Sequence, residues 1–246
     1  MDEEWLAPTP VRRVEAQPDA VIEPSWVTAL PPVRQLLADG LDLARATVLV
    51  GENGTGKSTL AEAIAMAYGM NGEGGSTGAM HTTWTSESSL HEWLRVLRGP
   101  GASRWGYFIR AETMHGLFTF LDSTRNPRLT RDPEFHPLSH GEAFRTLFET
   151  SRFRGDGFYV LDEPEAGLSF TAQLRLVGEL MGMLTSDGVQ VLIATHSPII
   201  AALPGATLLE LDDRGYHECA WEELELVAHY RSFCDAPQRY LRHFGV

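Results

Sequence analysis

Nine consecutive residues, Gly51-Glu52-Asn53-Gly54-Thr55-Gly56-Lys57-Ser58-Thr59, combine glycines, a lysine and hydroxyls in an order suited to gripping a phosphate chain. The order is G-x-x-x-x-G-K-[ST], with Thr59 adding a further hydroxyl. Glycines let successive backbone N–H groups turn inward around anionic oxygens, and a helix starting there adds its positive end. Lys57 would reach the β- and γ-phosphates and the Ser58 hydroxyl would sit on Mg²⁺. Lys57 is also the only lysine in the chain, so a compact ammonium is kept where a phosphate needs one. A second cluster ends the apolar run Phe158-Tyr159-Val160-Leu161 with Asp162 and Glu163. A hard cation takes oxygen ligands, so Asp162 at a strand end would serve Mg²⁺ through water. Glu163, facing the other way, could orient or deprotonate an attacking water.

The elements around these residues must present them together. Thr47-Val48-Leu49-Val50 reads as a buried strand and Leu60 to Ala67 as an Ala-rich helix, so the glycine loop joins strand to helix. Upstream, residues 1–24 read as an irregular or edge-strand arm, and Pro31 to Leu37 as a short helix stopped by Gly40. Asn71 to Gly78 reads as a loop. Ser86 to Leu97, apolar at 90, 93, 94 and 97, reads as a helix; Trp105 to Arg110 reads as a strand. Residues 122–137 hold three prolines and three arginines and read as loop. The second half alternates regularly: a helix at 141–152, a strand at 157–161, a helix at 170–184, a strand at 189–194 and a strand at 208–211. One or two amphipathic helices follow at 221–244. Such alternation predicts an α/β fold, a mostly parallel sheet covered by helices on both faces.

A chain of 246 residues suffices for one large domain with a full core. We expect a single domain over 1–246, with an inserted loop and small helical lobe at about 70–140 and C-terminal strand and helices at 205–246. Two cysteines are too few for a disulfide framework. No apolar run is long enough to span a membrane and the start Met1-Asp2-Glu3-Glu4 is unlike a signal peptide, so a cytoplasmic protein without membrane insertion is expected. The net charge of −13 argues against nucleic-acid binding by the whole surface. Residues 95–154, however, hold ten arginines against six carboxylates. That basic stretch could meet an anionic partner, serve the nucleotide's own phosphates, or be solvated helix-face arginines.

Taken together, the motifs resemble those of ATP-binding-cassette (ABC-type) P-loop ATPases, in particular the stand-alone branch of SMC and DNA-repair type. Leu138-Ser139-His140-Gly141-Glu142 looks like the signature L-S-G-G-Q, with His for the first Gly and Glu for the Gln. Asp162-Glu163-Pro164-Glu165-Ala166-Gly167-Leu168-Ser169 resembles the strand-end carboxylates running into the D-loop. Ala194-Thr195-His196-Ser197-Pro198 looks like the switch-histidine segment. The resemblance spans 51–198 with the motifs in family order. It implies a P-loop NTPase fold, ATP and Mg²⁺ as cofactors, Asp162 on Mg²⁺, Glu163 as catalytic base and His196 at the γ-phosphate. Ser139 and Gly141 would touch the γ-phosphate of ATP held by a second copy, giving an ATP-dependent homodimer.

The match departs from the family in two places. Where a glutamine should follow the strand 105–110, Glu112 stands nearest and would serve Mg²⁺ or its water. Only 25 residues separate Glu112 from Leu138, short for the helical subdomain that grips a membrane partner. There is no coiled-coil insertion. Trp26 could stack on the adenine or anchor under the sheet. The expected function is an ATP-hydrolysing dimeric clamp or switch in nucleic-acid maintenance or defence. The alternatives are a switch recruiting a protein effector, which the acidic stretch 218–225 could contact, and the motor of a membrane transporter.

Overall fold

Strands rich in Val, Ile, Leu and aromatics are buried on both faces, which is why they read as continuous apolar runs. The computed structural model describes residues 9–77, 88–124, 134, 135, 137, 138 and 140–242. In chain order its strands are β1 (Arg13–Ala16), β2 (Leu41–Asp42), β3 (Ala46–Val50), β4 (Gly75–Ser76), β5 (Leu94–Leu97), β6 (Gly106–Arg110), β7 (Gly157–Asp162), β8 (Val189–Thr195), β9 (Thr207–Asp212) and β10 (Gly215–Glu218). The helices are α1 (Trp26–Ala29), α2 (Pro31–Asp39), α3 (Lys57–Tyr68), α4 (Met114–Thr124), α5 (His140–Glu149), α6 (Phe170–Met183), α7 (Pro198–Ala201), α8 (Glu225–Asp235) and α9 (Gln238–Leu241).

Seven strands form the main sheet in the order β10-β9-β3-β8-β7-β6-β4. From β9 to β6 every pairing is parallel, and β10 and β4 close the two edges antiparallel. Alternation along each strand divides the core. Val48, Tyr159, Leu161, Val191 and Ile193 face α5 and α6, while Leu49, Phe158, Val160, Leu192 and Ala194 face α3. Each such Val or Leu side chain contributes ~1.5–3 kcal/mol on full burial. This is the expected α/β fold, with a mostly parallel sheet flanked by helices.

A smaller antiparallel sheet, β2-β1-β5, lies beside it. Buried Gln190 on β8 fastens the two together. Its Oε1 accepts from Val11 N at 2.7 Å and its Nε2 donates to the carbonyls of Val11 (2.7 Å) and Ala44 (2.9 Å).

Several expectations on secondary structure need correction. The arm at 13–16 is the centre of the small sheet and not an edge, because β2 and β5 flank it. The predicted helix over 86–97 is a 3₁₀ turn at Ser89–Trp93 followed by β5. Leu90, Trp93 and Leu94 are buried as expected, but pairing with β1 outweighs the helical spacing. Of the region 70–140, β4 and β6 belong to the main sheet and β5 to the small one. Residues 122–124 continue α4 where a loop was expected. Ser139 and the arginines at 125, 128 and 131 lie outside the described residues.

Candidate nucleotide-binding site

The parallel register brings the chemistry to one end of the sheet. β8 alone separates β3 from β7, with Val50 opposite Thr195 and Asp162 opposite Ala194. The glycine loop after β3, His196 after β8 and the carboxylates at the end of β7 therefore stand side by side.

Two glycines of the loop have no substitute. Gly56 ends the loop at φ +98° as the N-cap of α3, a left-handed conformation that other residues adopt only with strain. A Cβ on Gly51 would sit 2.5 Å from the Leu211 carbonyl of β9. Glu52, Asn53 and Gly54 form the exposed tip, and Thr55 Oγ1 donates back to Glu52 O at 2.9 Å. Ser58 and Thr59, on the first turn of α3, are half-buried. Lys57 is 3% exposed, and its Nζ donates to the carbonyls of Gly51 and Glu52, both at 2.8 Å. Burial pushes its ammonium below the ordinary lysine range, while Glu163, Asp162 and Glu165 pull it back up.

Asp162 is the buried carboxylate of the site. Burial pushes its pKa up to about 6, against the opposing pull of the Ser58 hydroxyl and of Arg110. Its Oδ1 is buried without a hydrogen-bond partner. A desolvated, incompletely partnered oxygen beside a serine hydroxyl fits a hard cation. The next residue, Glu163, has φ +50°, the only positive value on a non-glycine among the described residues. Strain of this kind persists where the surrounding structure enforces it, here partly through Glu163 N donating to Ala194 O at 2.8 Å. The Glu163 side chain is partly open to solvent and its Oε1 lies 3.7 Å from His196 Nδ1. His196 also lines an open cleft of ≈ 780 Å³ with Gly51, Glu52 and Thr55, walled on the far side by β9 and α8.

Two residues that sequence reasoning missed complete the cluster. Arg110 ends β6 directly opposite Asp162. Its Nε is 3.6 Å from Asp162 Oδ2, its Nη1 donates to Glu62 Oε2 at 2.6 Å, and its Nη2 lies 3.3 Å from Glu112 Oε2. Glu112 is thus mostly exposed and turned to Arg110. Buried Glu165 accepts from Thr195 Oγ1 and from His196 N. Glu165 stands in a quoted motif, but nothing in that motif indicates which strand end its side chain meets.

Other expected residues lie apart. Gly141, in the first turn of α5, lines a groove of ≈ 400 Å³ between α5 and α6 to which the glycine loop contributes nothing. Trp26 is 65% exposed, so it does not anchor under the sheet. It lies four residues before Leu30, whose Cδ1 would be 3.3 Å from a Cβ on Gly56. Several arginines of the basic stretch have partners within the chain. Arg95 bonds Glu15, Arg98 donates to Tyr68 O and covers its ring at 3.9 Å, and Arg145 pairs with Glu149 at 3.7 Å.

Comparison with known proteins finds relatives that are named as ATP-binding proteins. Residues 142–202 match the family described as "AAA domain, putative AbiEii toxin, Type IV TA system". The chain is 28% identical over 206 residues to the cytochrome c biogenesis ATP-binding export protein CcmA of Gluconobacter oxydans, covering 81% of this chain and 85% of that protein. It is 27% identical to the CcmA of Rhizobium etli over 65% of this chain and 79% of that one. It is 26% identical to the zinc import ATP-binding protein ZnuC of Agrobacterium fabrum over 80% of this chain and 62% of that one. These relatives are named as ATP-binding proteins, and the glycine loop of this chain is of the kind that holds a nucleotide's phosphates. A solved structure titled "An inward-facing conformation of a putative metal-chelate type ABC transporter" superposes with a TM-score of 0.47 at 17% identity, over 90% of this chain and 89% of that one. That likeness is too loose to carry weight. Among the described residues no helix is long and apolar enough to cross a membrane.

Proposed function

We propose that the chain hydrolyses ATP with Mg²⁺ and works as an ATP-driven clamp, two copies closing head to tail around two nucleotides. The carrying observation is the Asp162 carboxylate, buried with an unpartnered oxygen beside Ser58 and one strand away from His196. The loop N–H groups from Asn53 to Thr59 and Lys57 would hold the phosphates, Lys57 exchanging its own loop carbonyls for β- and γ-oxygens. Ser58 and, through water, Asp162 would hold Mg²⁺, whose charge offsets that on the phosphate oxygens. Glu112 would reach a metal-bound water only by leaving Arg110. Glu163 would take the proton of the attacking water. Nδ1 of His196 faces Glu163 and Glu165, which leaves Nε2 for the γ-phosphate. Ser139 and Gly141 would meet the nucleotide of the second copy, since Gly141 opens a ten-residue helix whose N-terminus favours anions. Trp26, exposed four residues before Leu30, would stack on the adenine. Phosphate release from ATP by the purified chain, lost with a chelator and in Lys57→Ala, tests the reading. Turnover that survives both would overturn it.

What the clamp acts on divides into separate readings. Nucleic-acid maintenance or defence is supported by the likeness of Asp162–Ser169 to the SMC and DNA-repair type, but the partnered arginines leave less free positive charge for it. A transporter motor is supported by the relatives, whose names are those of export and import ATP-binding proteins. Turnover stimulated by DNA would select the first. A membrane protein copurifying with the ATP-locked form would select the second, and a soluble protein held only with ATP would select an effector switch.

A further inference from the structure

Glu165 is a buried carboxylate to which the chemistry above gives no step of its own. It sits in the turn after β7, its side chain 5% exposed. Its Oε1 accepts from Thr195 Oγ1 at 2.6 Å and from His196 N at 2.7 Å, and lies 3.5 Å from His196 Nδ1, a buried ring nitrogen that makes no hydrogen bond of its own. Its Oε2 is buried without a hydrogen-bond partner. The turn does not need this charge for its shape. Gly167 at φ +75° and the bonds Ala166 N to Glu163 O and Leu168 N to Glu165 O already close it. A neutral glutamine oxygen could also accept the Thr195 and His196 bonds, without the unfavourable burial of a charge. What a carboxylate adds is attraction for the group it faces, and that group is the His196 imidazole.

We propose that Glu165 is the positioning residue of His196. It pins the backbone where β8 ends and holds the ring with Nδ1 turned toward the chain's own carboxylates, so that Nε2 is the nitrogen presented to a ligand. A second fastening runs beside it. Ser197 Oγ donates to Gln173 Oε1 at 2.6 Å, and Gln173 Nε2 donates to Leu168 O at 3.0 Å. The segment 195–197 is thereby tied to the turn 163–168 at two points, so a displacement of that turn is carried to His196.

This inference rests on the ATPase reading, and its test separates the two. Glu165→Gln keeps the size and acceptor oxygen but removes the charge. With Mg-ATP its kcat should fall about 10- to 100-fold, the scale seen when the carboxylate that orients a metal-bound histidine is removed, with KM nearly unchanged. In ¹⁵N-histidine spectra of the ligand-free protein, the ring resonance that is lost in His196→Ala should shift in Glu165→Gln while the other histidine rings stay put. An unmoved ring, or a moved ring with an unchanged kcat, overturns the role of Glu165 and leaves the ATPase intact. A parent protein without turnover overturns the ATPase reading, and this one with it. Because the ring is observed without nucleotide, the spectrum identifies which of the two has failed.

Discussion

Arg110 and Asp162 face each other across the β6–β7 ladder, with guanidinium Nε 3.6 Å from carboxylate Oδ2. The same guanidinium holds Glu62 of α3 at 2.6 Å and Glu112 at 3.3 Å. One cation thus joins the end of the sheet to the helix that carries the glycine loop. Removing it would take the guanidinium away from two buried carboxylates, Glu62 and Asp162. Arg110→Ala should lower unfolding stability by roughly 3 kcal/mol, the scale of breaking a buried pair from one side. Arg110→Lys should recover part of the loss, since it restores charge but not the three-way fork. Urea unfolding of the nucleotide-free proteins at neutral pH measures both.

Asp162 should set a pH dependence on the empty fold. Its folded-state value of about 6 lies above the ordinary 3.8, so the protonated form favours folding. That contribution is complete below the ordinary value and is lost as pH rises through about 6. Asp162→Asn should therefore be more stable than the parent at pH 7.5 by up to about 3 kcal/mol, at roughly 1.4 kcal/mol per pKa unit. The difference should shrink toward zero near pH 4. Paired unfolding curves with a chelator present provide the check, and a gap that does not change with pH contradicts the assignment.

Lys57→Ala should separate binding from folding. Lys57 loses its bonds to the Gly51 and Glu52 carbonyls, but the penalty of burying its ammonium is lost as well. The two nearly offset, so the melting temperature should hardly move. Nucleotide binding should weaken roughly 100-fold, because charged hydrogen bonds contribute about 1.5–3 kcal/mol each. Calorimetric titration with ATP, alongside a thermal melt, reads both quantities on one preparation.

What the sequence disclosed followed from how local each signal was. The glycine loop was legible because its strand, glycines and helix adjoin in the chain, and the apolar strands because both faces are buried. β5 was misread because its partner β1 lies some eighty residues earlier, and pairing over that distance leaves no local trace. α4 was passed over although Met114, Leu117, Phe118 and Leu121 keep helical spacing, since the proline-rich stretch behind it argued for loop. Arg110 and Glu165 were invisible for a third reason. Their roles depend on which strands are neighbours: β6 beside β7, and β7 beside β8.

Glu163→Gln is the most demanding test of the proposed clamp. The substitution keeps the shape of the side chain and its acceptor oxygen, and removes only the group that would take the water's proton. Losing a positioned general base lowers the rate typically ~10²–10⁴-fold. Binding should persist, because Lys57, the loop amides and Asp162 are untouched. Glu163 also carries the strained φ of +50°, so glutamine must accept the same backbone; equal melting temperatures in the two proteins would show that it does. Bound but unhydrolysed ATP should then hold two copies together, each placing Ser139 and Gly141 on the nucleotide of the other. Light scattering on a sizing column should find Glu163→Gln dimeric with Mg-ATP and monomeric without it. Adding Gly141→Arg should return it to monomer. A Cβ at Gly141 meets only Leu168 Cδ2 at 3.7 Å, so the fold tolerates the change while a long side chain blocks the facing phosphate. Parent-like hydrolysis by Glu163→Gln would falsify the catalytic assignment. Tight ATP binding without dimerisation would leave the ATPase standing and remove the clamp.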